Sequence, residues 1–463
     1  MSDRQKKLVQ DIFIYGIGTI GSKMFGLLIF PLYTHFLPRE DVGYYDITLT
    51  VIFLLLPLYT FQLREGIFRY IIHASKSEKP AVYKIVFNRI GKNTLWVLLL
   101  AVVLHFIHPV AYLEYLVALI LLNGIYEVQG FALRIENKKD YVLANMLSVM
   151  LTLAFSYLFL AQLDMGLQGV YAANILARLI PAVIMEYKYR FTLSMFDKSV
   201  TVNKKFENEI FRYSMMLIPV GVYWFLLDLT CKLFIQHQLG LEQNGIYAIA
   251  NKFMMIPLTL SFIFYQAWQE TAVIEYNSPN RNSFFSSIFN AYLLILSILS
   301  VIACIFLKIS YPYFIHYAYT GSLKYIYPLF ICVIFNALAN FLDMGYQCSK
   351  QTYWSIPSIV FAIVVNILLN YLLIKPFGTM GVAIAYALTM MLTFIFRFYD
   401  TKRFFTLKWN AAGYSSVIVL CLGGVVFYQI NNIYLLVASG LLFSGIFLTF
   451  IIKSGMFNIK KWI

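Results

Sequence analysis

Charge is scarce in this sequence. Only 13% of its 463 residues are Asp, Glu, Lys or Arg, and just 22 are acidic. A soluble domain carries about 25% charged residues. With 60% hydrophobic residues and a mean hydropathy of +0.72, the chain has more apolar surface than a water-soluble fold can hide, so a bilayer must be part of its solvent. Cysteine is sparse too. Cys231, Cys304, Cys332, Cys348 and Cys421 all fall in apolar runs, without a C-x-x-C pair, and read as small hydrophobes rather than metal ligands or disulfide partners. The six histidines, His105 and His108 among them, are scattered, and none forms the His–carboxylate or Cys–His arrangement of a hydrolase. No Walker A pattern occurs, so ATP hydrolysis by the chain itself is not expected. No metal, cofactor or catalytic residue is expected, and the protein reads as a non-enzyme. The polar start MSDRQKKLVQD, followed by an apolar run too long for a signal h-region, predicts no cleavable signal peptide. The period-two alternation of a membrane barrel is missing as well.

What is present is a series of long apolar runs. A spanning helix needs roughly 20 mostly apolar residues. About 14 runs qualify, at 11–37, 43–68, 92–108, 112–134, 141–161, 166–186, 210–237, 245–269, 284–309, 324–348, 353–375, 378–398, 410–429 and 433–453. Stretches such as VLLLAVVLHFI (97–107) and LLILSILSVIACIFL (293–307) are apolar on every face, which means lipid contact or deep burial.

The net charge of +14 invites a nucleic-acid reading, but the distribution of the charge opposes it. With the N-terminus inside and 14 crossings, about 27 of the 36 lysines and arginines fall on the cytoplasmic side, while the outer segments hold only Arg39, Lys308, Lys324 and Lys375. This is the positive-inside bias. The basic segment 187–212 then faces an anionic leaflet, not nucleic acid. Both termini are expected in the cytoplasm, with membrane lipids as partners.

One loop is written twice. THFLPREDVGYY (34–45) and QHQLGLEQNGIY (236–247) align without a gap, pairing His35, Leu37, Glu40, Gly43 and Tyr45 with His237, Leu239, Glu242, Gly245 and Tyr247. Later echoes share an offset of 212: Lys138 and Tyr141 match Lys350 and Tyr353, and Gly166, Gly169 and Val170 match Gly378, Gly381 and Val382. The two loops lie six crossings apart, so both halves point the same way. The expected organisation is a six-helix bundle at 1–200, a second at 201–405, and two additional helices at 406–463. Parallel repeats related by an axis along the membrane normal are a transporter architecture. Locally, Pro38 stops the first run, and the acidic residues of PRED suit a helix N-terminus. On that local reading His35 and His237 merely cap a turn.

GIGTIG (16–21) matches G-x-G-x-x-G in letters only. The dinucleotide fingerprint needs a strand before it, and here it lies inside a membrane run. Gly16, Gly18 and Gly21 fit close helix packing instead. The informative residues are the intramembrane charges: Lys23, Arg64, Arg178, Lys232 and Lys252. A cation at mid-bilayer costs about 2.5–3.5 kcal/mol on insertion scales. Lys23 lies about 12 residues, or about 18 Å, into the first run, near the midplane. Arg64 and Lys232 are nearer run ends, where snorkelling competes as an explanation. Asp228 and Lys232 are four residues apart and can pair on one helix face. Glu65 neighbours Arg64. Glu127 and Asp343 are buried acids, candidates with Asp228 for proton or ion binding, or else for an ion pair with Arg134 or another cation. A cavity with more cations than acids suits an anion such as a phosphate or an acidic sugar.

The paired six-helix halves, FLPREDVGYYDI (36–47) after the first run and LREGIFRYI (63–71) after the second resemble the polysaccharide repeat-unit (Wzx-like) flippases of the multidrug/oligosaccharidyl-lipid/polysaccharide (MOP) exporter superfamily. The resemblance covers essentially the whole chain. It implies an all-α integral membrane protein whose two bundles form a V that opens alternately to either side. It implies transport of undecaprenyl-diphosphate-linked oligosaccharides from the inner to the outer leaflet of the bacterial plasma membrane. It also implies a cationic cavity, fitted helix by helix by Lys23, Arg64, Lys232 and Lys252, with proton or sodium coupling and a polysaccharide polymerase with chain-length machinery as partners. Three rivals stand against it. A drug/cation antiporter of the same superfamily would need a carboxylate-dominated cavity, where this chain offers Lys23 and Lys232. A peptidoglycan-precursor flippase shares the physics with a different sugar. A membrane-embedded glycosyltransferase would need catalytic carboxylates in a large outer loop, and the outer loops here reach only about 15 residues.

Overall fold

The computed structural model of the chain describes residues 26, 28–73, 78–107, 110–349 and 351–454. Lys23, the three glycines of GIGTIG and most of the first apolar run lie outside them. The described residues contain helices, turns and short connections, and no strand. In hydrocarbon every backbone polar group must be satisfied within the protein, and helices achieve this segment by segment.

Residues 28–36 are helical. There follow α1 (Arg39–Thr60), α2 (Leu63–His73), α3 (Lys79–Ile107), α4 (Leu113–Glu136), α5 (Lys138–Tyr157), α6 (Gly166–Tyr189), α7 (Lys204–Met216) and α8 (Ile218–Leu239). Then come α9 (Leu241–Phe253), α10 (Met255–Glu275), α11 (Arg281–Phe314), α12 (Leu323–Cys348), α13 (Ile356–Asp400), α14 (Ala411–Gln429) and α15 (Ile433–Ser454). Among the described residues, twelve helical stretches are long and apolar enough to cross a membrane. One of them contains α13, which is broken at Gly378 (φ 58°, ψ −140°) and so holds two of the expected runs.

The chain forms two compact units, Met1–Leu229 and Thr230–Ile463, which divide within α8. In the first unit α3 begins at Lys79, a dozen residues before the apolar run expected there. The reason is polar. Lys79 Nζ and Tyr83 OH both donate to Glu136 at the end of α4, at 2.8 and 2.7 Å, and Lys84 Nζ donates to the carbonyl of Val200 at 2.9 Å. The helix therefore continues past its apolar stretch, with basic residues bound to protein groups.

In the second unit the core stacks aromatics from α10, α11 and α12. Trp268 lies on Phe341 with ring centroids 4.3 Å apart and planes within 9°. Helices α14 and α15 pack on α11, where Val419, Leu436 and Phe443 meet Leu294, Ile298, Val301 and Ile305.

The repeated sequence positions begin helices in both units. Helix α1 starts at Arg39 after Pro38, and α9 starts at Leu241 after Gly240 (φ 88°), which are counterparts in the two copies of the loop. Each helix carries acid in its first turn, Glu40 with Asp41 and Glu242, where the helix dipole favours it. Gly166 (φ 54°) opens α6, and its counterpart Gly378 (φ 58°) opens the second half of α13. Left-handed φ suits glycine because it has no Cβ.

Candidate functional site

The site in the first unit begins at a break in a helix. Between α1 and α2, Phe61 and Gln62 both adopt left-handed φ (50° and 54°), a rare conformation for two consecutive non-glycine residues. Such strain persists only where the surroundings over-determine it. Here they do. Asn93 Nδ2 donates to the Tyr59 carbonyl at 2.7 Å, satisfying a group that the break frees. The Tyr59 hydroxyl shares a hydrogen bond with Thr94 at 2.8 Å. The buried Gln62 amide lies against Gly221, where a Cβ would stand 1.7 Å from its nitrogen.

The break directs Arg64 toward α4. Its guanidinium pairs with Glu127, donates from Nε to Gln62 Oε1 at 3.0 Å, and lies 3.5 Å from Glu65. It also lies 5.5 Å from the centre of the Phe131 ring. Glu127 lines a cavity of about 240 Å³ together with Asn123 and Tyr126 of α4, Tyr141 and Asn145 of α5, and Arg178 of α6. Arg178 donates to Ser148 of α5 at 2.8 Å and sits over the Tyr126 ring at 5.1 Å, within electrostatic reach of Glu127. Tyr126 OH donates to Asn145 Oδ1 at 3.0 Å. Two guanidinium groups and two carboxylates, Glu65 and Glu127, therefore meet beside a cavity rich in tyrosine and amide groups. Such a lining can hydrogen-bond hydroxyls and attract an anion.

The second unit carries a parallel set. Asp343 of α12 lies 3.6 Å from Arg397 of α13, and Arg397 donates to Ser358 at 2.9 Å and to the Ala339 carbonyl at 3.1 Å. Gln347 bridges Asp343 and Tyr265, at 2.8 Å each. In both units an acid from the fourth helix of the repeat, a serine from the fifth and an arginine from the sixth come together. The units differ in how the acid is satisfied. Glu127 is paired by Arg64 from another helix, whereas Asp343 takes the repeat's own arginine.

Of the sequence-predicted residues, the structure brings together Arg64, Arg178 and Glu127. Asp343 belongs to the second unit. Asp228 accepts from Thr50 Oγ1 at 3.3 Å within the first unit. Lys232 is on α8 in the second unit with 2% of its surface exposed, and Lys252 is half-buried in the last turn of α9, two residues before the junction with α10. Lys23 lies outside the described residues. Arg397 lies within the expected run 378–398 but was not among the candidate site residues; it is on α13 and only 5% exposed. The signal was its place in MLTFIFRFYD, where apolar residues flank it on both sides.

A family model described as "Polysaccharide biosynthesis protein" matches residues 8–269. The chain belongs to that family. A second model, described as "Lipid II flippase MurJ", matches residues 319–447. No curated protein matches the chain. Among solved structures, an inward-facing multidrug resistance MATE-family transporter of the MOP superfamily is similar, with a TM-score of 0.67 at 13% identity, over 82% of this chain and 94% of that one. The lipid II flippase MurJ in an inward closed conformation gives 0.66 at 15% identity, over 97% of this chain and all (100%) of that one. A MATE protein in complex with MaD5 gives 0.60 at 16% identity, over 87% and 96%. This polysaccharide-biosynthesis family member is thus an all-α, multi-pass membrane protein with the MOP-superfamily fold.

Proposed function

We propose that the protein is a transporter, not an enzyme, and that it moves lipid-diphosphate-linked oligosaccharide repeat units from the inner to the outer leaflet of a bacterial plasma membrane. Both termini would lie in the cytoplasm, and the product would pass to a polymerase with its chain-length machinery. The observation that carries this reading is the cluster of Arg64 and Arg178 with Glu127 and Glu65, beside a cavity lined by tyrosines and amides, in a membrane-spanning unit of a polysaccharide-biosynthesis family member. The guanidinium groups suit a diphosphate or an acidic sugar, which would compete with Glu65 and Glu127 for them, and the surrounding tyrosines and amides suit sugar hydroxyls. Lys23, Lys232 and Lys252 would add cations along the path. Glu127, Asp228 and Asp343 are the carboxylates available for proton or sodium coupling.

The match of residues 319–447 to the MurJ model favours a second reading, a peptidoglycan lipid precursor as cargo. Depletion separates the two. Under the repeat-unit reading, depleted cells lose surface polysaccharide and accumulate lipid-linked oligosaccharide while staying intact. Lysis with accumulated peptidoglycan precursor would support the second reading and overturn the first.

A further inference from the structure

The first unit holds another cavity, away from Glu127. It has a volume of about 430 Å³, lies between α5 and α6, and is almost wholly apolar. Its sequence origin is visible. Pro181 interrupts the hydrogen-bond ladder of α6, and Ala144 leaves α5 without bulk opposite it. The gap is lined by Leu143, Leu147, Met150, Ile184 and Met185, and Leu143, Met150 and Ile184 are also exposed on the outer surface of the unit.

One end of the gap is polar. Asp140, in the first turn of α5, accepts from Lys188 and, at 2.5 Å, from the Tyr189 hydroxyl, both in the last turn of α6. Lys188 and Asp140 line this rim, and Lys138 and Lys139 precede Asp140 in the sequence. An ammonium has three donors, and Asp140 takes one from Lys188. The positive-inside distribution sets this rim at the cytoplasmic leaflet, whose surface is anionic.

We propose that this groove is a resident site for one anionic phospholipid of the cytoplasmic leaflet, with an acyl chain in the slot between α5 and α6 and the headgroup phosphate at Lys188. Size selects the occupant. A methylene displaces about as much volume as a water molecule, roughly 30 Å³, so the slot holds on the order of a dozen methylenes. That fits one straight acyl chain, whereas a methyl-branched polyprenyl chain is far larger. Charge selects the headgroup: a phosphate bearing net negative charge gains from Lys188, and a zwitterionic headgroup gains less. The Asp140–Lys188–Tyr189 contacts hold the ammonium at the rim before the lipid arrives.

The test is native mass spectrometry of the whole protein taken from nanodiscs of mixed phosphatidylglycerol and phosphatidylcholine. The wild type should keep one phosphatidylglycerol per chain at energies that strip the other lipids. Filling the slot with Ala144→Phe, or at its exposed edge with Met150→Trp, should cut that retention at least tenfold. Leu98→Phe, on the exposed face of α3, should leave it unchanged. Lys188→Glu should keep a bound lipid but abolish the preference for phosphatidylglycerol. Equal retention in the filled variants and in Leu98→Phe would overturn the proposal. So would displacement of the lipid by added polyprenyl phosphate, which would assign the groove to the cargo.

Discussion

Arg64, two residues beyond a helix break, closes on Glu127 of the neighbouring α4, and each side chain is 28% exposed. Neither residue is close to the other in sequence, and neither is buried enough to be only a core pair. A hydrogen bond to a charged group contributes about 1.5–3 kcal/mol. Arg64→Ala and Glu127→Ala should each slow transport roughly tenfold or more, at normal membrane abundance. Because they act as one pair, the double variant should be little worse than the poorer single variant. Strictly additive losses in a cargo-translocation assay would show that the two act independently.

The counterpart in the second unit should behave as a structural element. Among the described residues, removing Asp343 leaves the buried Arg397 with Ser358 and the Ala339 carbonyl as hydrogen-bond acceptors. Breaking a buried pair costs about 3–5 kcal/mol, an upper bound here because those two acceptors remain. At roughly 2–4 °C per kcal/mol, Asp343→Ala should lower the unfolding midpoint in detergent by several degrees, with Asp343→Asn milder. An unchanged midpoint for Asp343→Ala would remove the structural role.

The break in α13 depends on one residue. Gly378 has φ 58° and ψ −140°, a combination that side chains avoid. Gly378→Ala should cost about 1–3 kcal/mol and lower membrane abundance. Gly445→Ala, at a position with open space around it, should be neutral. Equal abundance of the two variants would mean that α13 is not held broken at Gly378.

Much of this fold could be read from the sequence, because a bilayer forces apolar length and helical backbone together. The acidic PRED segment and the apolar runs beginning at Gly166 and Gly378 coincide with helix starts. Helix α3 exceeded its apolar run because Lys79 and Tyr83 found Glu136, a contact between distant residues that hydropathy does not encode. The break at Phe61–Gln62 was hidden for a related reason: neither residue breaks helices by itself, and the break is held by Asn93 and Gly221. For the site, the sequence supplied Arg64, Arg178 and Glu127 as intramembrane charges. It left open which cation met which acid. It did not single out Arg397, because a charge near the end of an apolar run resembles the basic residues that flank membrane helices.

Lys23 remains an expectation from the sequence, near the midplane of the first apolar run. A cation there is costly unless it meets water or an anion. Lys23→Ala should reduce surface polysaccharide while protein level stays near normal, and Lys23→Glu should abolish it. A fall in protein level instead would mark Lys23 as the partner of a buried acid.

The most direct test is translocation in reconstituted vesicles. Lipid-diphosphate-linked oligosaccharide is incorporated, and its appearance on the opposite face is followed with a membrane-impermeant reagent. The wild type should accelerate translocation at least tenfold over protein-free vesicles, and the Arg64→Ala/Arg178→Gln double variant should return most of the way to the protein-free rate. A wild-type rate equal to that of protein-free vesicles, or acceleration untouched by loss of both arginines, would contradict the account.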